Sequence, residues 1–186
     1  MSRHWFPKHY SDVVQRFRVP LGFVLVGVFG YAADPTRLTL RAGLPVALAG
    51  VWIRAWAAGH LEKNQKLTTS GPYRWVRNPL YLGTFLAALG FGIAAGRWWL
   101  PVLFSAVFLL VYLPAIELEE QKLSELFKDF RDYSSTVPMV VPRRRMTGSP
   151  GFFCWSRYVK NEEYNAMAGC VLGTLYLVWK AGILPW

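Results

Sequence analysis

An all-α, polytopic membrane protein with about five transmembrane helices is the fold class this sequence predicts. Three observations carry the expectation. Hydrophobic residues make up 53% of the 186-residue chain, nine of them tryptophan, and mean hydropathy is positive at +0.22. That is more apolar than a single soluble domain of this length usually is. Apolar runs close to the roughly 20 residues a helix needs to cross a hydrocarbon core recur along the chain. Basic residues gather on alternate polar segments between those runs, as the orientation rule for membrane proteins requires.

The five runs occupy residues 17–33, 38–60, 79–95, 98–117 and 164–183. The first and third are short and rich in glycine. Gly22, Gly27 and Gly30, like Gly83, Gly90 and Gly92, are expected to let neighbouring backbones approach closely. The second run carries Arg54 within it. Only Gly96 and Arg97 separate the third from the fourth, which predicts an antiparallel hairpin with Trp98 and Trp99 at a membrane interface. Beyond the fourth run, Leu118, Leu123, Leu126, Phe127 and Phe130 recur at three- and four-residue spacing. The helix is therefore expected to continue over 117–133, lying on the membrane face. Val137-Pro138 and Val141-Pro142 end it, because proline disfavours helix at and before itself.

The organisation follows: a membrane core over 1–142, with an N-terminal arm at 1–16, then a basic linker from 143 and a C-terminal transmembrane helix within 143–186. The arm lacks a small-residue cleavage site and is expected to be retained. No internal repeat is present.

The formal net charge is +10. No helix-turn-helix, zinc-finger or RNA-binding signature accompanies it, so nucleic acid is not an expected partner and the charge is read as topology. Arg3, Lys8 and Arg16 precede the first run, and Arg18 stands at its start. Lys63, Lys66, Arg74 and Arg77 lie between the second and third, and Lys122, Lys128, Arg131, Arg143, Arg144, Arg145, Arg157 and Lys160 between the fourth and fifth. The opposite side receives Arg37, Arg41, Arg97 and Lys180. This asymmetry predicts a cytoplasmic N-terminus and a C-terminus across the membrane.

Two polar constellations bracket the hairpin. Residues 70–83 pack arginines, prolines and tyrosines against the start of an apolar helix, with Arg77 directly before Asn78-Pro79. Proline at a first helical position leaves backbone donors free to face a ligand. Arg74 and Arg77 would equally serve as anchors to lipid phosphates. Glu117, Glu119 and Glu120 close the fourth run, and acids at that depth need a cation. Pairing with Arg74 or Arg77 and contact with a bound cofactor are both open on spacing alone. His4, His9 and His60 have no helical metal-ligand spacing, and Cys154 and Cys170 form neither a metal motif nor a disulfide framework. Dinucleotide, Walker and nucleophile-elbow fingerprints are missing, which sets aside a soluble Rossmann-type domain.

Gly71-Pro72-Tyr73-Arg74 with Arg77-Asn78-Pro79-Leu80-Tyr81-Leu82-Gly83, followed by Glu119-Glu120, Leu123, Phe127, Phe130, Tyr133, Val137-Pro138 and Pro142, resembles the membrane methyltransferases related to isoprenylcysteine carboxyl methyltransferase and the phospholipid methyltransferases. The resemblance covers about 38–142. It implies a methyltransferase using S-adenosyl-L-methionine, held in a cytoplasmic-side pocket by Gln65, Lys66, Leu67, Thr68, Tyr73, Asn78, Pro79, Leu80 and Tyr81 and closed by Glu119 or Glu120. Arg77, Glu119 and Glu120 are the implied catalytic residues, with Arg77 at the reacting end. Two departures stand out. Asn78 replaces a histidine common among relatives, and Ala115 and Ile116 stand where the prenylcysteine enzymes place a substrate-binding arginine, which argues against prenylcysteine. The expected acceptor is lipophilic or membrane-partitioning, an amine, carboxylate or thiol entering from the bilayer. The rivals are a sterol-type reductase using NADPH and a non-enzymatic scaffold or transporter, the latter disfavoured because Arg54 alone is polar along the middle of a span.

Overall fold

The computed structural model describes residues 6–63, 65–142 and 151–183. Arg3, His4 and the basic linker 143–150, singled out in the sequence, lie outside the described residues. Those described are helical and contain no strand.

Helix α1 runs Lys8–Ala32. The first span thus begins nine residues earlier than the apolar run, and most of the expected arm is helix. Between Pro7, which caps it, and Pro20 there is neither proline nor glycine to break it. Helix α2, Arg37–Ala58, starts at a reciprocal cap: Thr36 Oγ1 accepts from Thr39 N (3.2 Å) while Thr39 Oγ1 accepts from Thr36 N (2.9 Å). A tight 3-10 turn at Gly71–Arg74 precedes α3, Pro79–Ala94, whose first residue is proline.

Helix α4, Trp99–Val107, passes through a π-helical turn at Phe108–Tyr112 into α5, Leu113–Leu126. Pro114 has no N–H to give to the carbonyl of Leu110, and Tyr10 donates its hydroxyl there from α1 (2.8 Å). The expected continuous helix over 117–133 is interrupted. Phe127 is extended (φ −126°, ψ 114°), and α6 restarts at Phe130–Thr136. The break turns Phe130 inward and lets Tyr133 reach the 3-10 turn. A short α7, Trp155–Lys160, leads to α8, Tyr164–Lys180.

Three of these helices are long and apolar enough to span a bilayer: His9–Ala32, Arg37–Ala58 and Trp99–Leu126. Helix α3, with 16 residues, is apolar, and α8 has 17 residues; both fall short of the roughly 20 residues of a full crossing. Length and packing therefore give a polytopic membrane bundle of three long and two short helices.

Close packing falls elsewhere than the glycine pattern of α1 implied. Nothing lies within 4 Å of a Cβ built on Gly22 or Gly27. The intimate contact is between α2 and α3, where a Cβ on Gly83 would stand 2.6 Å from the carbonyl oxygen of Gly50, and one on Gly90 2.7 Å from that of Gly43. Gly83 and Gly90 serve as expected; Gly43 and Gly50 are their unforeseen partners. At one end of the bundle Asp34 N donates to Ala95 O (2.7 Å), and Tyr176 donates its hydroxyl to Gly30 O (2.6 Å). The opposite end collects the start of α1, the α2–α3 loop and α5 to α7, and forms a polar collar.

Candidate active site

The first two turns of α3 are the centre of that collar, ringed by three ion pairs. In the first, Arg77 meets Glu120 fork to fork: Nε donates to Oε1 and Nη2 to Oε2, both at 2.8 Å. Arg77 Nη1 donates to the carbonyls of Ser134 (2.7 Å) and Val137 (2.6 Å), so four of the five N–H groups of a guanidinium are held by protein. Asn78 Nδ2 adds a bond to Glu120 Oε1 (2.7 Å). Arg77 N and Asn78 N donate to Pro138 O and Met139 O. Of the two readings the sequence left open for this glutamate, pairing with Arg77 is present in the structure.

The second pair lies around the helix. Tyr81 donates to Glu119 Oε1 (2.6 Å) and accepts from Arg18 Nη1 (3.1 Å), which stands 3.7 Å from the same carboxylate. The Glu119 side chain is 41% exposed against 12% for Glu120, so Glu119 is the more accessible acid. The deeper Glu117 accepts from Phe6 N (3.3 Å).

In the third, Arg54 Nε donates to Glu163 Oε1 (2.5 Å) and Nη2 to Oε2 (3.1 Å), while Nη1 donates to Thr84 Oγ1 and reaches Leu80 O (3.5 Å). Glu163 is buried, which explains how an arginine is tolerated inside α2. Sequence reasoning missed Arg18, Thr84 and Glu163 as members of the collar. A signal existed for the last: a cation within an apolar run calls for an acid.

Tyr73 faces this assembly from the 3-10 turn. It is buried, and its hydroxyl has no hydrogen-bond partner among the described residues. Burial, reinforced by Tyr133, Glu163 and Glu119 and opposed by Arg54, holds the phenol far above its ordinary pKa. Arg74 Nε is likewise buried without a partner. Tyr133 donates to Tyr73 O (2.7 Å); burial raises its own pKa, with Arg77 opposing and Glu120 adding.

The structure brings Tyr73, Asn78, Pro79, Leu80 and Tyr81 to the same place as Glu119 and Glu120. Gln65, Lys66, Leu67 and Thr68 form the preceding loop, folded on Glu62: Gln65 N and Lys66 N donate to Glu62 O, and Thr68 Oγ1 accepts from Glu62 N. No hydrogen bond or ion pair among the described residues ties this loop to Glu119 or Glu120. His60 is buried, with Nδ1 2.9 Å from Trp56 O and its ring edge-on to Phe153, a structural role. No group of acids, histidines and cysteines among the described residues could hold a metal ion.

Within the membrane, the collar adjoins an apolar cavity of about 700 Å³ between α1, α3, α4 and α8, lined among others by Val26, Phe29, Thr84, Phe91 and Tyr112. Helix α8 forms one wall of this cavity through Gly169, Leu172, Gly173 and Tyr176.

The phospholipid methyltransferase family model matches residues 38–129. The chain is 32% identical over 158 residues to the cobalt-zinc-cadmium resistance protein CzcN of Cupriavidus metallidurans, covering 80% of this chain and 71% of that protein. It is 35% identical over 123 residues to the protein-S-isoprenylcysteine O-methyltransferase of Schizosaccharomyces pombe, covering 66% and 48%, respectively. It is 39% identical over 75 residues to methanethiol S-methyltransferase 1 of Bradyrhizobium diazoefficiens, covering 39% and 25%. The chain thus spans about half or less of the two relatives named as methyltransferases. No solved structure matches significantly. With its two motifs joined at one collar and its helices built for a bilayer, the chain belongs to the phospholipid methyltransferase family, whose relatives include the isoprenylcysteine methyltransferases.

Proposed function

We propose that this protein is an integral membrane methyltransferase that uses S-adenosylmethionine and acts on a lipophilic acceptor. The observation that carries the reading is the convergence of two distant motifs on one helix start, with Glu120 on Arg77 and Asn78 and Glu119 on Tyr81. The buried hydroxyl of Tyr73 and Nε of Arg74, both without partners among the described residues, fit a ligand with carboxylate and hydroxyl groups. Orphaned buried donors are otherwise costly.

Held by these residues, S-adenosylmethionine would supply an electrophilic methyl group to an acceptor lone pair, with its thioether sulfur keeping the electron pair of the broken bond. The protein's task is then alignment and electrostatic preorganisation. Tyr73, kept protonated by burial, donates to the ligand, and Arg74 adds a second donor. The Arg77–Glu120 pair pins residues 134–139 to the start of α3 and keeps the pocket shut on that side. Gln65, Lys66, Leu67 and Thr68 form its outer rim, and Asn78, Pro79, Leu80 and Tyr81 its floor. Glu119, the exposed acid, accepts the proton an acceptor gives up and passes it to water. The excess of basic residues at the collar supports a cytoplasmic position for this end.

The test is incubation of the reconstituted protein with methyl-labelled S-adenosylmethionine and total membrane lipid extract, followed by mass spectrometry. Label in a lipid product, lost in Glu119→Gln, is the expected result. No transfer to any fraction would refute the proposal.

A further inference from the structure

We propose that residues 151–163, beyond the family-matched stretch 38–129, fasten the outer rim of the cofactor site, with Arg157 as a positioning residue that acts through Glu62. This rests on the methyltransferase reading and gives the C-terminal segment a share in that site.

The rim has little to hold it in shape by itself. Between the end of α2 at Ala58 and the 3-10 turn at Gly71 the described residues form neither helix nor strand. The bonds of the rim converge on one residue: Gln65 N and Lys66 N donate to Glu62 O (3.2 and 3.4 Å), and Glu62 N donates to Thr68 Oγ1 (3.4 Å). These lie at or beyond the long end of the hydrogen-bond range, and a loop so lightly bonded opens readily. The place of Glu62 therefore decides the shape of the rim.

The later segment fixes Glu62 and both ends of the loop. Arg157 Nη2, on α7, donates to Glu62 Oε1. Cys154 N donates to Gly59 O (2.9 Å), and Asn161 Nδ2 to Ala58 O (3.0 Å) and Leu61 O (3.1 Å). Phe153 lies on Gly59, where a Cβ would stand 2.1 Å from its Cε2, and meets the ring of His60 edge-on. At the far end Gly151, with φ 61°, lies against Ser70, where a Cβ would stand 2.5 Å from the Ser70 Cβ; glycine suits both that backbone and that approach. Ser70 directly precedes the turn that carries Tyr73 and Arg74.

The geometry of residues 161–163 points the same way. Glu162, with φ 55°, is the one left-handed non-glycine among the described residues, a conformation that costs free energy and is held by its surroundings. Its neighbours are both engaged: Asn161 on the start of the loop and Glu163 on Arg54. The Arg157 and Glu62 side chains are 34% and 32% exposed. A pair so open to water adds little to global stability, so its effect falls on the loop.

The experiment combines hydrogen–deuterium exchange of the ligand-free protein in nanodiscs with calorimetric titration of S-adenosylhomocysteine. Arg157→Met and Glu62→Ala, which keeps the backbone bonds of Glu62, should each speed exchange over residues 65–70 at an unchanged melting temperature. Each should weaken S-adenosylhomocysteine binding roughly threefold to fivefold, the range an exposed ion pair supplies. The double variant should bind no more weakly than either single one. Arg157→Lys should regain most of the affinity, because the contact is one hydrogen bond and not a fork. Lys160→Met, an equal loss of charge at an exposed position of α7, should change neither measurement. Unchanged exchange in Arg157→Met overturns the proposal, as do additive losses in the double variant or an equal loss in Lys160→Met. Unaltered S-adenosylhomocysteine binding in Arg157→Met removes the proposal and leaves the methyltransferase reading standing. Faster exchange in that variant, with no S-adenosylhomocysteine bound by the wild-type protein, supports the fastening and removes the methyltransferase reading.

Discussion

Arg77 and Glu120, 43 residues apart, are joined by two parallel hydrogen bonds of 2.8 Å, and the same arginine holds the carbonyls of Ser134 and Val137. One side chain thereby fastens α3, α5 and the segment after α6. Both side chains are only 12% exposed. Arg77→Ala should cost about 3–5 kcal/mol, as removal of one partner from a buried pair does. Arg77→Lys should recover only part of that, because an ammonium cannot reproduce the fork. Denaturant midpoints in detergent measure both.

Tyr73 separates a ligand role from a structural one. Its hydroxyl is buried with no partner among the described residues, so Tyr73→Phe removes an unsatisfied group at little loss of volume. The ligand-free variant should melt at the wild-type temperature or slightly above, by up to about 1 kcal/mol in stability. A marked drop in melting temperature would show that the hydroxyl serves the fold.

The Arg54–Glu163 pair links α2 to the segment entering α8. Glu163→Gln should destabilise the protein by leaving Arg54 buried and unpaired. Arg54→Met combined with Glu163→Met should return most of the loss, since replacing both charges by apolar groups is often neutral. A double-mutant cycle should give a coupling of about 1–3 kcal/mol; a coupling near zero would make the pair incidental.

Alkaline pH should weaken the collar. Tyr73 and Tyr133 both have raised pKa values in the folded state, so the unfolded chain, with ordinary phenols near 10, loses protons first. Their contribution is complete below about pH 10 and declines as pH rises beyond it. Chemical denaturation across this range should show the decline, with a shallower slope in Tyr73→Phe.

Hydropathy and charge marked the helical runs and the two motifs because burial in lipid and orientation act on composition, which a sequence displays directly. Helix ends were less visible. The start of α1 at Lys8 and the break at Phe127 depend on partners far along the chain, such as the Tyr10 hydroxyl on Leu110 and the Tyr133 hydroxyl on Tyr73. The glycines of α1 resembled a packing face, yet Gly43 and Gly50 of α2 do that work against α3. Of the collar, Arg77, Glu119 and Glu120 were recognisable from depth and sign. Arg18 appeared only as one of several topological charges, and Glu163 lay beyond the motif region. Their membership is set by tertiary proximity to Tyr81 and Arg54.

Calorimetric titration of the reconstituted protein with S-adenosylhomocysteine and, separately, NADPH distinguishes a methyltransferase collar from a reductase one. Saturable binding of S-adenosylhomocysteine is expected, weakened roughly tenfold by the loss of one buried hydrogen bond in Tyr73→Phe, with no heat from NADPH. Binding of NADPH with none of S-adenosylhomocysteine would contradict the methyltransferase reading and make the collar a reductase site.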